Sequence, residues 1–280
     1  MSTTTLITGG AGGMGLATAR IIGRDHQVVI SDVNADALDA AVTRLTADGI
    51  DVKGMVCDIT DRAQVRSLLD RAGETGRVSA VVHTAGVSPQ MGSAELIARI
   101  NALGTVNVTE ASLAVAGEGF ALVNVASIAG HMLPGFLVPE RTYRLALSDP
   151  DRFIQKLTRI AGLGPKAMRP ATAYSLSKNF VIWYTRAMAR RFGAVGARVV
   201  SVSPGSFDTA MGRLEKKSGS GTLVDYAALK RFGHPEEIAE VLAFCASEKA
   251  GYLTGVDILC DGGAKAGLDF KGMLRMARGA

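Results

Sequence analysis

Tyr174 and Lys178 stand four residues apart in the run Tyr-Ser-Leu-Ser-Lys, a spacing that puts both side chains on one face of a helix. A tyrosine with an ordinary pKa near 10 is a weak base at neutral pH. An ammonium fixed ~4 Å away contributes about 4 kcal/mol at an effective dielectric of 20. That is enough to favour the phenolate by up to about three pKa units. The spacing alone would equally suit an exposed surface pair. Ser127 closes the apolar run Asn124-Val-Ala-Ser127. Its hydroxyl there could polarise a carbonyl or hold an alcohol beside the tyrosine, or serve only as a turn or cap residue.

A second group of residues could hold a phosphate. Thr8-Gly9-Gly10-Ala11-Gly12-Gly13-Met14-Gly15 follows a β-rich run and opens a helical one. Glycines let the backbone turn sharply and approach a pyrophosphate, while the helix N-terminus offers N–H groups and partial positive charge. Alone, such a run can also be a plain tight turn. Asp32 closes the next β-rich run. A carboxylate there can accept both hydroxyls of an adenosine ribose and would repel a 2′-phosphate. The glycine run carries no Arg or Lys and Val33 follows Asp32, so the expected cofactor is NAD(H) rather than NADP(H). The other reading of Asp32 is a turn residue before a helix. Asp58, after the third β-rich run, could bond an adenine amino group or cap the helix that follows.

The elements that must position these residues alternate along the chain. Short apolar runs at 4–8, 27–31, 52–56, 79–83, 120–126, 198–202 and 256–259 read as strands buried on both faces, the signature of a parallel sheet. Amphipathic stretches at 14–23, 35–47, 62–73, 94–116, 173–192 and 235–247 read as helices. The alternation predicts an α/β fold, a doubly wound parallel seven-stranded sheet of Rossmann type in a single domain. Ligands then bind outside the carboxyl ends of the strands at the topological switch point, and every residue above falls there or on the next helix. One domain spans 1–263, and 264–280 forms a tail that could cover a neighbouring subunit or be disordered. Residues 131–170 carry Pro134, Pro139, Pro150, Pro165 and Pro170 and read as an excursion from the sheet. Residues 218–221 read as a mobile loop.

Composition narrows the function classes. The chain has 280 residues, 48% hydrophobic and 20% charged, which excludes wholesale disorder. Glycine is high at 33 residues, about 12% against a usual ~7%, and only 5% is aromatic. That composition suits tight helix–sheet packing and not a base-stacking platform. Lys and Arg number 31 against 26 Asp and Glu, a net charge of +5, scattered with no basic run, so no nucleic-acid partner is expected. Cys57, Cys245 and Cys260 are widely spaced, which disfavours a disulfide framework or a zinc site; no metal is expected and all three read as buried small hydrophobes. No signal segment and no membrane-length apolar run is present, and the expected location is the cytoplasm.

Taken in order, Thr8–Gly15, Asp32, Thr84-Ala85-Gly86, Asn101, Ser127, Tyr174–Lys178, Pro204-Gly205 with Thr209, Gly255 and Asp261-Gly262-Gly263 resemble the short-chain dehydrogenases/reductases. The resemblance covers residues 5–263. It implies a catalytic tetrad of Asn101, Ser127, Tyr174 and Lys178. Tyr174 would be the general acid/base, and Ser127 would orient the reacting oxygen. Lys178 would favour the phenolate and anchor the nicotinamide ribose, and Asn101 would hold a water in a relay to Lys178. It also implies cofactor contacts at Gly9, Gly13, Met14, Gly15, Asp32, Asp58, Ile59, Ala85, Gly86, Tyr174, Lys178 and Pro204, with Thr209 and the Phe207 backbone at the carboxamide. The implied reaction is secondary alcohol to ketone on a small-molecule substrate. The apolar insertion residues Met132, Leu133, Phe136, Leu137 and Val138 point to a hydrophobic, steroid-like one. An epimerase or dehydratase using transient oxidation, and a non-catalytic dinucleotide sensor, are the alternatives. A homodimer or homotetramer is implied as well.

Three features depart from the family pattern. The usual Asn-Asn-Ala-Gly is His83-Thr84-Ala85-Gly86, in which Thr84 can still bond between strands. Phe207 replaces a smaller aliphatic and would crowd the nicotinamide pocket. Ser127 and Tyr174 are 47 positions apart, an unusually long separation. The extra residues, 131–170, resemble the insertion of certain bacterial hydroxysteroid dehydrogenase/carbonyl reductases, either a substrate lid or a remodelled subunit interface. Tyr143 lies nearer to Ser127, but Leu147 follows it at the lysine position, so Tyr143 is expected to pack over the cleft without acting as a base. His131 reads as a loop residue, with substrate contact as the alternative.

Overall fold

The computed structural model describes residues 3–217 and 223–268. The apolar runs form β1 (Thr3–Thr8), β2 (Gln27–Asp32), β3 (Val52–Val56), β4 (Arg77–His83), β5 (Ala121–Val125), β6 (Arg198–Pro204) and β7 (Asp257–Cys260). They make one parallel sheet in the order β3-β2-β1-β4-β5-β6-β7. Successive strand residues serve opposite faces. Leu6, Val29, Val81, Leu122 and Val199 enter one core cluster, whereas Ile7, Ile30, Val82, Val123 and Val200 enter the other. This is why the strands are apolar throughout rather than alternating.

Helices cover both faces. They are α1 (Gly13–Ile22), α2 (Ala35–Ala47), α3 (Arg62–Gly73), α4 (Ala94–Ala98), α5 (Gly104–Val115), α6 (Glu140–Tyr143), α7 (Pro150–Ala161), α8 (Arg169–Gly193), α9 (Ala210–Lys217), α10 (Leu223–Tyr226), α11 (Pro235–Ala246) and α12 (Ala264–Gly267). Residues of α1, α2 and α11 pack on one face, and residues of α3, α5 and α8 on the other. Helix starts are set by side-chain caps: Asn34 Oδ1 accepts from Ala37 N, and Asp61 accepts from Ala63 N and Gln64 N.

The single helix expected over 94–116 is broken. Between α4 and α5 the chain widens into a π-helical turn, Arg99–Leu103, with the Gly104 amide bonded to the Arg99 carbonyl. Single π-turns of this kind shift one residue relative to the helix face and recur at functional sites. Here the turn carries Asn101.

The 131–170 segment leaves the sheet as expected and folds into α6, α7 and short 3-10 turns. Phe153, Ile154, Leu157 and Ala161 form the buried stripe of α7. Tyr143 corrects the expectation that it packs over the cleft. It is fully buried against the outer side of α8, its ring 5.3 Å from Phe180 and 5.7 Å from Trp183. Its hydroxyl lies 2.9 Å from the Leu176 carbonyl. Burial pushes its phenol well above the usual tyrosine range, which removes it as a base. A bulky ring that can satisfy its hydroxyl on a helix carbonyl is better housed in the core than at a wet cleft.

Cys57 and Cys245 are buried as expected, but Cys260 is only half-buried because β7 is the sheet edge. Among the described residues no helix is long and apolar enough to cross a membrane. The loop expected at 218–221, and the tail beyond 268, lie outside the described residues.

Candidate active site

The glycine turn joins β1 to α1 at the point where strand order reverses between β1 and β4. Gly9 adopts φ +69°, and a Cβ there would lie 2.7 Å from the Ala85 nitrogen. A Cβ on Gly15 would lie 2.4 Å from the Gly9 carbonyl oxygen and 2.7 Å from Thr84 Oγ1. α1 has no side-chain cap and no acidic residue in its first turn, so no side chain of that turn competes with an anion for its leading N–H groups. Gly12 and Gly13 are exposed, while Met14 is half-buried. This cradle fits the phosphates of a dinucleotide.

Asp32 ends β2, its Oδ1 accepting from the Asn34 amide at 3.1 Å, and Val33 beside it is exposed. The Asp58 carboxylate accepts from the Thr60 amide at 2.8 Å, inside its own turn. Capping of α3 falls to Asp61, which rules out the capping role weighed for Asp58. The Ile59 side chain is buried against Gly104, and its carbonyl accepts from Asn107 Nδ2 at 2.9 Å.

The residues expected to handle protons gather around α8. Lys178 is buried, and its Nζ donates to the Val125 carbonyl at 2.9 Å and lies 5.9 Å from the centre of the half-buried Tyr174 ring. The 5.9 Å is measured to the ring centre, and the attraction that favours the phenolate varies as the inverse of the separation between the ammonium and the phenol oxygen. A Cβ on Gly86 would meet Asn101 Oδ1 at 3.1 Å and Lys178 Nζ at 3.4 Å. Asn101 and Lys178 therefore flank one point of backbone. The Asn101 amide grips Val87 twice: Oδ1 accepts from the Val87 amide and Nδ2 donates to its carbonyl, both at 2.9 Å.

Ser127 is buried and begins a 3-10 turn, Ile128–His131, with its Oγ accepting from the Ala129 amide at 3.2 Å. Accepting that bond leaves the hydroxyl proton to donate. The turn is seated directly on α8: a Cβ on Gly130 would touch the backbone of Lys178 at 2.8 Å, and Asn179 Nδ2 donates to the Gly130 carbonyl at 2.8 Å. The other end of the turn is held by His131. Its Nε2 lies 2.9 Å from Asp257 Oδ2 and 3.1 Å from Ser203 Oγ. His131 is thus a tie between the Ser127 turn and strands β6 and β7.

On the far rim Pro204 ends β6. The buried Phe207 ring packs against Gly233 and joins the core on the α1 side, so its extra bulk is housed in packing. Thr209 Oγ1 accepts from the Gly212 amide at 3.0 Å, and its methyl lies close to Gly13. Thr84 bonds between strands as expected, its Oγ1 donating to the Thr8 carbonyl at 2.7 Å. Val125 and Val87 act through backbone atoms and left no side-chain signal to read. His83 did leave one, as the odd residue of the His-Thr-Ala-Gly run.

Residues 3–138 match the family profile described as short chain dehydrogenase, and residues 158–265 the profile described as Enoyl-(Acyl carrier protein) reductase. A short-chain dehydrogenase/reductase of Alternaria brassicicola is 32% identical, covering 95% of this chain and 97% of its own length. The cis-4-hydroxycyclohexanecarboxylate dehydrogenase of Sinomonas cyclohexanicum is 30% identical over 93% and 96% of the two chains. Among solved structures, an actinorhodin polyketide ketoreductase variant with NADPH superposes at a TM-score of 0.74, with 22% identity over 94% and 97% of the chains, a likeness of fold. The chain belongs to the short-chain dehydrogenase/reductase family of oxidoreductases, whose members bind a nicotinamide dinucleotide.

Proposed function

We propose that the chain is an NAD(H)-dependent oxidoreductase that interconverts a secondary alcohol and a ketone on a hydrophobic, steroid-like substrate. The observation that carries the reading is the meeting of Lys178 and Asn101 at Gly86, with Tyr174 on the same helix and the Ser127 turn seated against that helix. In oxidation Tyr174 takes the proton of the substrate hydroxyl, and in reduction it returns it. Ser127 donates to the reacting oxygen. Lys178 brings a buried positive charge that favours the phenolate. The Asn101 side chain is spent on Val87, so a relay water would rest on its peptide carbonyl. When bound, the dinucleotide supplies a hydride acceptor or donor at its nicotinamide ring.

Asp32 supports NAD, since a 2′-phosphate would meet its carboxylate with the apolar Val33 alongside. The apolar loop just after the Ser127 turn exposes Phe136 by 87% and Leu137 by 56%. That supports a hydrophobic substrate and an insertion bordering the cleft. Stopped-flow absorbance of NADH with a series of cyclic secondary alcohols tests the reading, and net NADH formation is expected. Turnover without net NADH would replace it with transient oxidation in an epimerase or dehydratase. Dinucleotide binding without turnover would leave a sensor, and equal kcat/KM with NADP would overturn the cofactor assignment.

A further inference from the structure

His83 is fully enclosed at the C-terminal end of β4, opposite Thr8 in the β1–β4 register. Its Nδ1 lies 2.7 Å from Thr8 Oγ1 and its Nε2 3.2 Å from Thr105 Oγ1. Thr105 Oγ1 in turn donates to the Asn101 carbonyl at 2.8 Å. These contacts fix the direction of the chain. A carbonyl only accepts, so the single Thr105 proton is committed to Asn101 and Thr105 Oγ1 must accept from Nε2–H. The Nδ1 lone pair then accepts from the Thr8 hydroxyl. The opposite tautomer would set two lone pairs against each other at Thr105. The charged form is disfavoured by complete burial and then by the Lys178 charge, which hold the imidazole pKa down at about 3.

One side of this chain of bonds is the residue before Gly9, and the other is the π-turn whose Asn101 grips Val87 beside Lys178. It crosses the sheet where strand order reverses. Among the described residues, the side chain that it reaches beyond His83 is the buried Thr8.

We propose that His83 is a positioning residue: as a neutral Nε2–H imidazole it ties the dinucleotide turn to the Asn101 turn and so couples the two halves of the site. This rests on reading the glycine turn as the dinucleotide site. The tie runs from the Asn101 turn to the residue before Gly9, so altering the Asn101 end is expected to change dinucleotide affinity, measurable without any substrate. Thr105→Val removes the link at the far end and preserves shape. It is expected to weaken NADH binding about threefold in the parent chain and clearly less in a His83→Asn background, where the bond to the imidazole is already gone and the Thr105 bond to the Asn101 carbonyl is what is left to lose. Thr105→Ser keeps the hydroxyl and should restore parental affinity. Imidazole nitrogen NMR of the full chain should show one neutral tautomer from pH 5 to 9. Additive losses in the two backgrounds, a protonating His83, or a Thr105→Ser chain as weak as Thr105→Val would overturn the proposal. A parent chain that binds no NADH would instead overturn the dinucleotide reading, and with it the coupling.

Discussion

The two halves of the site are built by opposite means. The dinucleotide half is made by what is missing: no Cβ at Gly9 or Gly15, where one would collide with backbone, and no side-chain cap on α1. The proton-handling half is made by side chains that are buried at a cost and held from behind. Lys178 is held by the Val125 carbonyl, Asn101 by Val87, and the Ser127 turn by Asn179 and His131. A cradle of backbone tolerates no addition. A constellation of side chains tolerates no loss of support.

Substitutions on each side should therefore fail differently, and the contrast can be broken. The largest effect is expected from Tyr174→Phe, which removes the acid/base and should lower kcat about a thousandfold while NADH affinity, read by fluorescence titration, stays near parental. Retained activity would end the assignment. Gly15→Ala should do the reverse. Its methyl has to displace the Gly9 carbonyl or the Thr84 hydroxyl, at about 2 kcal/mol of stability, and NADH affinity should fall steeply in titration. A variant that bound NADH normally would show that the turn is not the cradle.

Acid sharpens the comparison further. Burial and the Lys178 charge push the His83 imidazole down to about 3, against about 6.5 for an unperturbed histidine, so between those limits the unfolded chain binds a proton that the folded chain does not. Stability is then full above about pH 6.5 and falls by about 1.4 kcal/mol per pH unit below it, down towards pH 3. In urea melts from pH 7 to 4, His83→Asn should lose that part of the slope. An unchanged slope would remove His83 as its source. The smallest effect is expected from His131→Ala, which among the described residues leaves the buried Asp257 carboxylate with Ser201 and Ser203 as side-chain donors. About 1 kcal/mol of stability should go, with Tm lowered and KM for the alcohol unchanged. A raised KM at constant Tm would return His131 to the substrate pocket.

The contrast also explains what could be read from the residues alone. Seven apolar runs gave seven strands, because burial on both faces leaves an unbroken signal, and the glycines stood out because a turn without side chains is a compositional event. The π-turn at 99–103 was invisible: its apolar residues continue the stripes of α4 and α5, and nothing in the types marks a shift of one residue. Tyr143 and His131 were misplaced or left open because a long insertion can return to any face of the fold, and only packing decides which. Asp58 was weighed as a cap and Asp61 was not, although Asp61 caps α3, since both precede the same helix. The partners that fix Lys178 and Asn101 are peptide groups, which every residue carries.

One stretch of chain does two jobs around α8. Its first part presents Phe136 and Leu137 to solvent beside the Ser127 turn, and its second part seats Tyr143 and Phe153 against Phe180 on the reverse of the same helix. Changes of length within 131–170 would alter the exposed apolar tip and the buttress together. Divergence towards new ligands should thus proceed by exchanging residues at the tip far more readily than by insertion or deletion.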